Sequence, residues 1–275
     1  MTAFITFMGV FEWLRVPMGV KPAANHFHNI MQTIVLIGLV FVICEVYLDD
    51  ILVYGNSEEN YLQNMRSVFE RFRLHKITLN PDKCLFGVTS LEFLGHKIDQ
   101  DGISFTQTKL DNVVNFIKPL NIKQLRSFIG LVNYFRDHVK NHSRVPKPLQ
   151  DMLTTAIKKG KVKSTLDWTH EAEEGFQQIK DSINACPLLF FLNEEAPIYL
   201  HTDASDYAIG AYLFQIVKDK EQPIRFMSKA LSKSQLNWST IEKDAYAIWY
   251  SLKKFHDLLQ GMKFTEGQTI ETSHL

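Results

Sequence analysis

Val46-Tyr47-Leu48-Asp49-Asp50-Ile51-Leu52-Val53-Tyr54 sets two adjacent carboxylates between β-branched and aromatic runs. Such runs favour extended backbone, and the acidic pair between them predicts a tight β-hairpin with Asp49 and Asp50 at its tip. Two carboxylates on an apolar hairpin are costly unless a cation neutralises them. Phosphoryl transfer with two metal ions supplies a reason, because ions about 3.5–4 Å apart need bridging carboxylates to hold them. The plain alternative for Tyr47 to Asp50 is an ordinary turn with solvated charges.

Upstream, Val16-Pro17-Met18-Gly19 punctuates the chain, and residues 33–44 are uncharged and mostly apolar. That run is shorter than the roughly 20 residues of a membrane span and predicts a buried core element. Downstream, Asn56 is an N-cap candidate with Glu58 and Glu59 in the first turn. Tyr61, Met65, Val68, Phe69 and Phe72 follow at helical spacing, and the helix should stop before Asn80-Pro81. Short strands are expected around Leu91 to Ile98, broken by Gly95 and turned at Asp101-Gly102. Leu125, Phe128, Ile129, Val132 and Phe135 make one helical stripe, and Pro146 and Pro148 mark a break. The lysine-rich residues 158–163 read as an exposed linker and domain boundary.

A second unit begins near Trp168, with Ala172, Phe176, Ile179 and Ile183 as a helical stripe. Ile198 to Asp203 alternates like a strand, Ala204-Ser205-Asp206 can turn, and Ala208 to Ile216 resumes a strand. Ile241, Ala245, Ile248, Trp249, Leu252, Phe255 and Leu259 predict a long helix ending at Gly261. The order strand, strand, helix indicates α/β or α+β.

The chain has 275 residues, 45 % of them hydrophobic, with 20 Phe and four Trp, enough to bury one substantial core or two modest ones and to exclude disorder. Net charge is zero, yet from Lys109 to Lys163 basic residues far outnumber acidic ones, which fits a surface meeting a polyanion. Cys44, Cys84 and Cys186 lack metal-ligand spacing and read as buried thiols in a reducing compartment. Glu12 and Arg15 interrupt the apolar N-terminus too early for a signal peptide.

Five motifs in order resemble the reverse transcriptases of gypsy-type long-terminal-repeat retrotransposons, over nearly the whole chain. Phe11 to Lys21 resembles the segment shaping the nucleotide pocket, and Tyr47 to Asp50 the catalytic aspartate box. Asn80-Pro81-Asp82-Lys83-Cys84 is similar to the next motif, whose lysine is proposed to protonate departing pyrophosphate. Leu94 to Gly102 resembles the primer-gripping hairpin, and Leu125 to Phe135 the helical thumb. The second unit resembles the ribonuclease H domain that follows in such polyproteins: Thr202-Asp203-Ala204-Ser205-Asp206 matches the strand with the first metal-binding aspartate, and residues 237–244 the start of the helix bearing the glutamate, Glu242. Taken alone, Ser239 with Glu242 is a capping box, Asp203 a turn residue, Gly19 and Gly95 plain turn glycines, and Lys83 a solvated lysine.

The resemblance implies an α+β chain: a partial palm (1–105), a helical thumb (106–164), a connection (165–197) and a truncated ribonuclease H-like domain (198–275). It implies an RNA-directed DNA polymerase with ribonuclease H, using Mg²⁺ or Mn²⁺. Asp49, Asp50, Asp203 and Glu242 would be catalytic metal ligands and Lys83 a general acid. Pro17, Met18, Gly19 and Lys21 would bind nucleotide, and Leu94, Gly95 and His96 the primer end. The expected partners are RNA template, DNA primer, RNA–DNA hybrid and deoxynucleoside triphosphates, with no membrane. The setting would be intracellular, in a cytoplasmic virus-like particle and the nucleus.

Both sites are expected to be incomplete. No aspartate precedes Asp49, where the family has one on an earlier strand; Glu12 and Glu45 do not match that position. The family's Thr-Asp-His segment is matched best by Thr272-Ser273-His274, or without gaps by Thr269 at the aspartate position, and no aspartate follows Asp257. Family segments are accordingly expected beyond both ends. The competing expectation is a non-catalytic remnant that binds nucleic acid through its basic thumb.

Overall fold

The computed structural model describes residues 3–17, 19–140, 142, 147–158 and 165–268. Packing divides the chain into two units, Met1–Gly87 and Val88–Leu275.

The first unit opens with an antiparallel hairpin, β1 (Ala3–Thr6) and β2 (Gly9–Glu12), registered from Ala3↔Glu12 to Thr6↔Gly9. Phe4 rests on Phe11 and Trp13 with ring centroids 5.9 and 5.4 Å apart, and all three rings are exposed. Helix α1 (Ala23–Ile30) runs into a π-helical turn, Met31–Val35, and is followed by the hairpin β3 (Cys44–Tyr47) and β4 (Asp50–Val53). Helix α2 (Glu58–Leu74) covers this hairpin, and Met31, Val35, Leu36, Cys44, Val46, Val68 and Phe72 form the core.

Two expectations change here and one holds. The N-cap of α2 is Ser57, whose Oγ accepts the Asn60 N–H at 3.2 Å, one residue after Asn56. As expected, the helix stops before Asn80-Pro81: it ends at Leu74, and Lys76 takes a positive φ of 55°. Residues 33–44 are no single buried element: only Val35, Leu36 and Cys44 are buried, whereas Ile34, Ile37, Phe41 and Val42 are exposed. The unit has one thin core, so a continuous apolar run cannot bury all its side chains.

The second unit begins with β5 (Ser90–Phe93), β6 (His96–Asp99) and β7 (Gly102–Phe105), then α3 (Gln107–Val114), α4 (Ile122–Asn133), α5 (Lys147–Lys158) and α6 (His170–Asn184). A short strand, β8 (Leu189–Phe190), returns to complete an antiparallel sheet in the order β5-β6-β7-β8. Gly102 permits that return, because a Cβ there would lie 2.0 Å from the Leu189 carbonyl oxygen. The α4 stripe is buried at Leu125, Phe128 and Val132, and it shares one core with Ala172, Phe176, Ile179 and Ile183 of α6. Pro148 does not break a helix but sits in the first turn of α5, where its missing N–H costs nothing. Pro146 and residues 159–163 of the expected linker lie outside the described residues.

The remainder is β9 (Ile198–Ala204), β10 (Ala208–Val217), β11 (Lys220–Ala230), α7 (Thr240–Lys254), α8 (His256–Leu259) and β12 (Phe264–Gln268). The sheet order is β11-β10-β9-β12, antiparallel except that β12 runs parallel to β9. Strand β11 has no counterpart in the sequence reading. Its hairpin turn, Lys218-Asp219, takes positive φ at both residues (51° and 58°) without a glycine to signal it.

Helix α7 also corrects the expected stripe. Its buried positions are Lys243, Ala247 and Ser251, with Phe255 and Leu259 beyond it, while Ile241 is 80 % and Trp249 55 % exposed. Small Ala247 and Ser251 let the helix lie close against the sheet, and Ile241 and Trp249 of the expected line turn outward while its Phe255 and Leu259 are buried. Among the described residues, no helix is long and apolar enough to cross a membrane.

Candidate functional site

The hairpin tip in the first unit is built from a two-residue turn. Tyr47 pairs with Asp50, leaving Leu48 and Asp49 to turn the chain. Leu48 has φ 55° whereas Asp49 stays at negative φ, the pattern of a type II′ turn that normally uses glycine first. The Leu48 N–H donates to Nδ1 of His28 at 3.1 Å, so α1 holds the turn from beside it. Asp49 and Asp50 are both exposed. Behind them, burial raises the carboxyl pKa of Glu45, and burial with the Glu45 charge raises that of the Tyr54 phenol. His28 carries no motif, and nothing in the sequence pointed to it.

Pro17, Gly19 and Lys21 lie just before α1; Pro17 is half-buried, Lys21 exposed, and Gly19 has φ 85°. Met18 lies outside the described residues. Lys83 is exposed on a single 3-10 turn, Pro81–Lys83, capped by the Asn80 side chain accepting the Asp82 N–H at 3.1 Å.

In the second unit, Leu94 and Gly95 form the β5–β6 turn, both at positive φ (54° and 77°). The Tyr134 hydroxyl donates to the Leu94 carbonyl, and Lys109 Nζ lies 5.3 Å from the Tyr134 ring centroid. A Cβ at Gly95 would come within 2.7 Å of Lys109 Cε and 2.9 Å of the Tyr134 hydroxyl, so glycine is required twice over. His96 stacks on Tyr134 at 5.1 Å and on His138 at 5.7 Å. Burial and the Lys109 charge lower the His96 pKa, against an opposing pull from Asp137. The primer-grip candidates thus sit on a turn fastened to the end of α4 by Lys109, Tyr134 and His138, none of which the sequence had marked as site residues.

Asp203 lies half-buried on β9 opposite Gly210. Asp206 pairs with buried Lys243 at 3.2 Å. Glu242 is exposed at the third position of α7, where its Oε2 accepts both the Ser239 N–H and the Ser239 hydroxyl at 2.8 Å. Those hydrogen bonds hold its pKa below the usual carboxylate range. Strand β12 runs beside β9 as far as Gln268 opposite Thr202, one position short of Asp203. Thr269, Thr272, Ser273 and His274 lie outside the described residues.

Asp49 with Asp50, and Asp203 and Glu242, are hard oxygen donors of the kind Mg²⁺ prefers. Among the described residues, no group of three or more His, Cys, Asp or Glu side chains could hold a metal ion. The donors present do not by themselves close a two-ion centre.

A carboxylate-tipped hairpin in one unit, with a helical bundle and a mixed sheet crossed by a helix in the other, defines a class: a polymerase palm and thumb joined to a ribonuclease H-like domain. Residues 1–98 match the family of reverse transcriptases (RNA-dependent DNA polymerases), and residues 168–265 match the RNase H-like domain found in reverse transcriptase. The chain is 34 % identical over 94 % of its length to the retrovirus-related Pol polyprotein from transposon opus of Drosophila melanogaster, covering 26 % of that protein. It is 33 % identical over 92 % of its length to the transposon Tf2-3 polyprotein of Schizosaccharomyces pombe, covering 18 % of it. A foamy viral protease-reverse transcriptase solved with double-stranded DNA is similar in structure, with a TM-score of 0.78, 25 % identity, and coverage of 98 % of this chain and 46 % of that one. The same viral protein solved with an RNA/DNA hybrid gives a TM-score of 0.75 at 24 % identity, covering 99 % of this chain and 36 % of that one. Residues 1–98 thus carry a reverse transcriptase domain and residues 168–265 a ribonuclease H-like domain, similar to those of retrotransposon Pol polyproteins, and the chain spans about a quarter or less of the two transposon polyproteins it matches.

Proposed function

We propose that this chain supplies palm, thumb, connection and ribonuclease H-like parts, with the limits 1–105, 106–164, 165–197 and 198–275, of an RNA-directed DNA polymerase acting on primer–template. The observation that carries the reading is the Asp49–Asp50 pair, exposed at the tip of a turn held by His28. A side chain committed to a turn that glycine would form more easily, with acids at its apex, fits a pair positioned for divalent cations, Mg²⁺ or Mn²⁺.

Lys83 is then the proton donor to pyrophosphate, and Pro17, Met18, Gly19 and Lys21 approach the deoxynucleoside triphosphate. Leu94, Gly95 and His96 hold the primer end, and Asp203 and Glu242 face the RNA strand of a hybrid. The foamy viral relative was solved with double-stranded DNA, which supports a duplex as partner. An intracellular setting, in the cytoplasmic particle and the nucleus, follows from this role, and free thiols suit it. Of the three expected to be buried only Cys44 is, Cys84 and Cys186 being half-buried.

On this reading Asp49 with Asp50, and Asp203 with Glu242, hold cations but do not by themselves complete either reaction. The test is binding and extension of an RNA-templated DNA primer by the purified chain. Salt-dependent binding is expected, with no extension and no hybrid cleavage in Mg²⁺ or Mn²⁺. Extension abolished by Asp49→Asn, or cleavage abolished by Asp203→Asn, would show that the donors present suffice. Absence of salt-dependent binding would overturn the polymerase reading itself.

A further inference from the structure

Beside its buried line α7 carries rings where a surface helix ordinarily carries charge: Trp249 is exposed, and Tyr246 and Tyr250 are half-buried against the core. Glu242, Tyr246, Trp249 and Lys253 follow one line along the helix at spacings of four, three and four residues. Trp249 is 55 % exposed and stacks on Tyr246 at 5.7 Å with their planes 25° apart. Trp238 meets Tyr246 edge-on at 5.3 Å, and Tyr250 lies 5.8 Å from it.

Two lysines border this face. Lys229 of β11 donates to the Tyr246 hydroxyl at 2.8 Å and stands 4.0 Å from the Tyr250 ring centroid, and Lys253 stands 5.3 Å from that of Trp249. Glu242, at the head of the line, turns its carboxylate back onto Ser239.

Indole and phenol rings offer π-faces to flat heterocycles, and flanking ammonium groups offer charge to a polyanion. Bases joined by phosphates meet both demands at once. A protein partner would satisfy the rings but leave both ammonium groups to be desolvated or paired anew. We propose that the Tyr246–Trp249 face of α7, with Lys229 and Lys253, is a stacking platform for a single-stranded nucleic acid, lying one to three turns along the helix from Glu242. The proposal rests on the reading of the chain as a nucleic-acid enzyme but needs neither metal site, so it is tested in the presence of a chelator.

The experiment measures binding of a short labelled oligothymidylate to the full chain by fluorescence anisotropy, at low and high salt, alongside tryptophan emission and sedimentation. The wild-type chain should bind with quenching of tryptophan. Trp249→Ala should weaken binding about tenfold, the cost of one lost base stack. Trp249→Phe should restore most of it, and Lys253→Ala should flatten the salt dependence by about 0.7 in log–log slope. Trp249 is exposed, so neither change at 249 disturbs the core. Equal affinity of Trp249→Ala and wild type would overturn the platform while leaving nucleic-acid binding elsewhere intact. A change in sedimentation with unchanged oligonucleotide affinity would assign the face to protein contact and overturn it too. Failure of the wild-type chain to bind any oligonucleotide or hybrid would overturn the platform and the polymerase reading together.

Discussion

Leu48 holds a positive φ with a branched side chain, a conformation costing an L-residue roughly 1–2 kcal/mol. Glycine there relieves that strain and gives part of the gain back in unfolded-chain entropy. Leu48→Gly should therefore raise stability of the first unit by about 0.5–1 kcal/mol. His28→Ala should lower it by about 1–2 kcal/mol by orphaning a half-buried N–H, and His28→Gln should recover much of that loss by offering another acceptor. Chemical denaturation midpoints of the three variants check the ordering. The hairpin tip at Asp49 and Asp50 was legible because β-branched and aromatic runs flank the acidic pair. His28, twenty residues upstream on another element, gave no signal, since a histidine accepting one backbone N–H requires no neighbouring pattern.

At the scale of the element, α7 separates two roles that one glutamate can play. The capping box predicts that Ser239→Ala costs about 1 kcal/mol, because an N-terminal N–H loses its acceptor. Glu242→Gln keeps an amide oxygen for the Ser239 N–H and should leave the thermal midpoint nearly unchanged. If Glu242 also serves a cation, that same variant should weaken Mn²⁺ binding, read by paramagnetic broadening. Stable folding with unaltered Mn²⁺ binding would leave Glu242 as a cap alone.

This helix also shows where sequence reading ran out. Period 3.6 located the helix and its buried Phe255 and Leu259 but ran it unbroken to Gly261, whereas the helix breaks between α7 and α8. It also turned Ile241 and Trp249 inward, because hydrophobicity was taken as a guide to burial. Ala247 and Ser251 are buried for their size, and Lys243 is buried because Asp206 answers its charge. The same limit hid β11, whose turn of Lys218 and Asp219 adopts glycine-like angles without glycine. By contrast, α4 and α6 were readable to the residue at Leu125, Phe128, Val132, Phe176, Ile179 and Ile183, since each faces a core of large apolar side chains.

For the molecule as a whole, the core of the second unit is bordered by histidines that resist protonation. Burial, followed by the neighbouring His96 ring, pushes the His138 pKa down to about 4 against the opposing pull of the Ile103 backbone carbonyl, and Arg225 adds to the effect. Burial likewise lowers His142 and His96. A histidine whose folded pKa lies below its unfolded value of 6.5 binds its proton preferentially in the unfolded chain, so stability rises with pH. The contribution is whole above about pH 6.5 and is lost as pH falls toward 4, by on the order of 2–3 kcal/mol for His138. His138→Phe should flatten the pH dependence of the melting temperature over that window, and an unchanged slope would contradict the assignment.

The return of β8 to the edge of β7 has a consequence in time. Ile103 pairs with Leu189, 86 positions later (189 − 103). At ribosomal speeds of roughly 5–20 residues per second, the nascent edge of β7 waits about 4–17 s for its neighbour to emerge. Throughout that interval unclaimed backbone amides face whatever else is being translated nearby, and Gly102, bare of side chain so that Leu189 can reach it, is also the least guarded point against a stranger's strand.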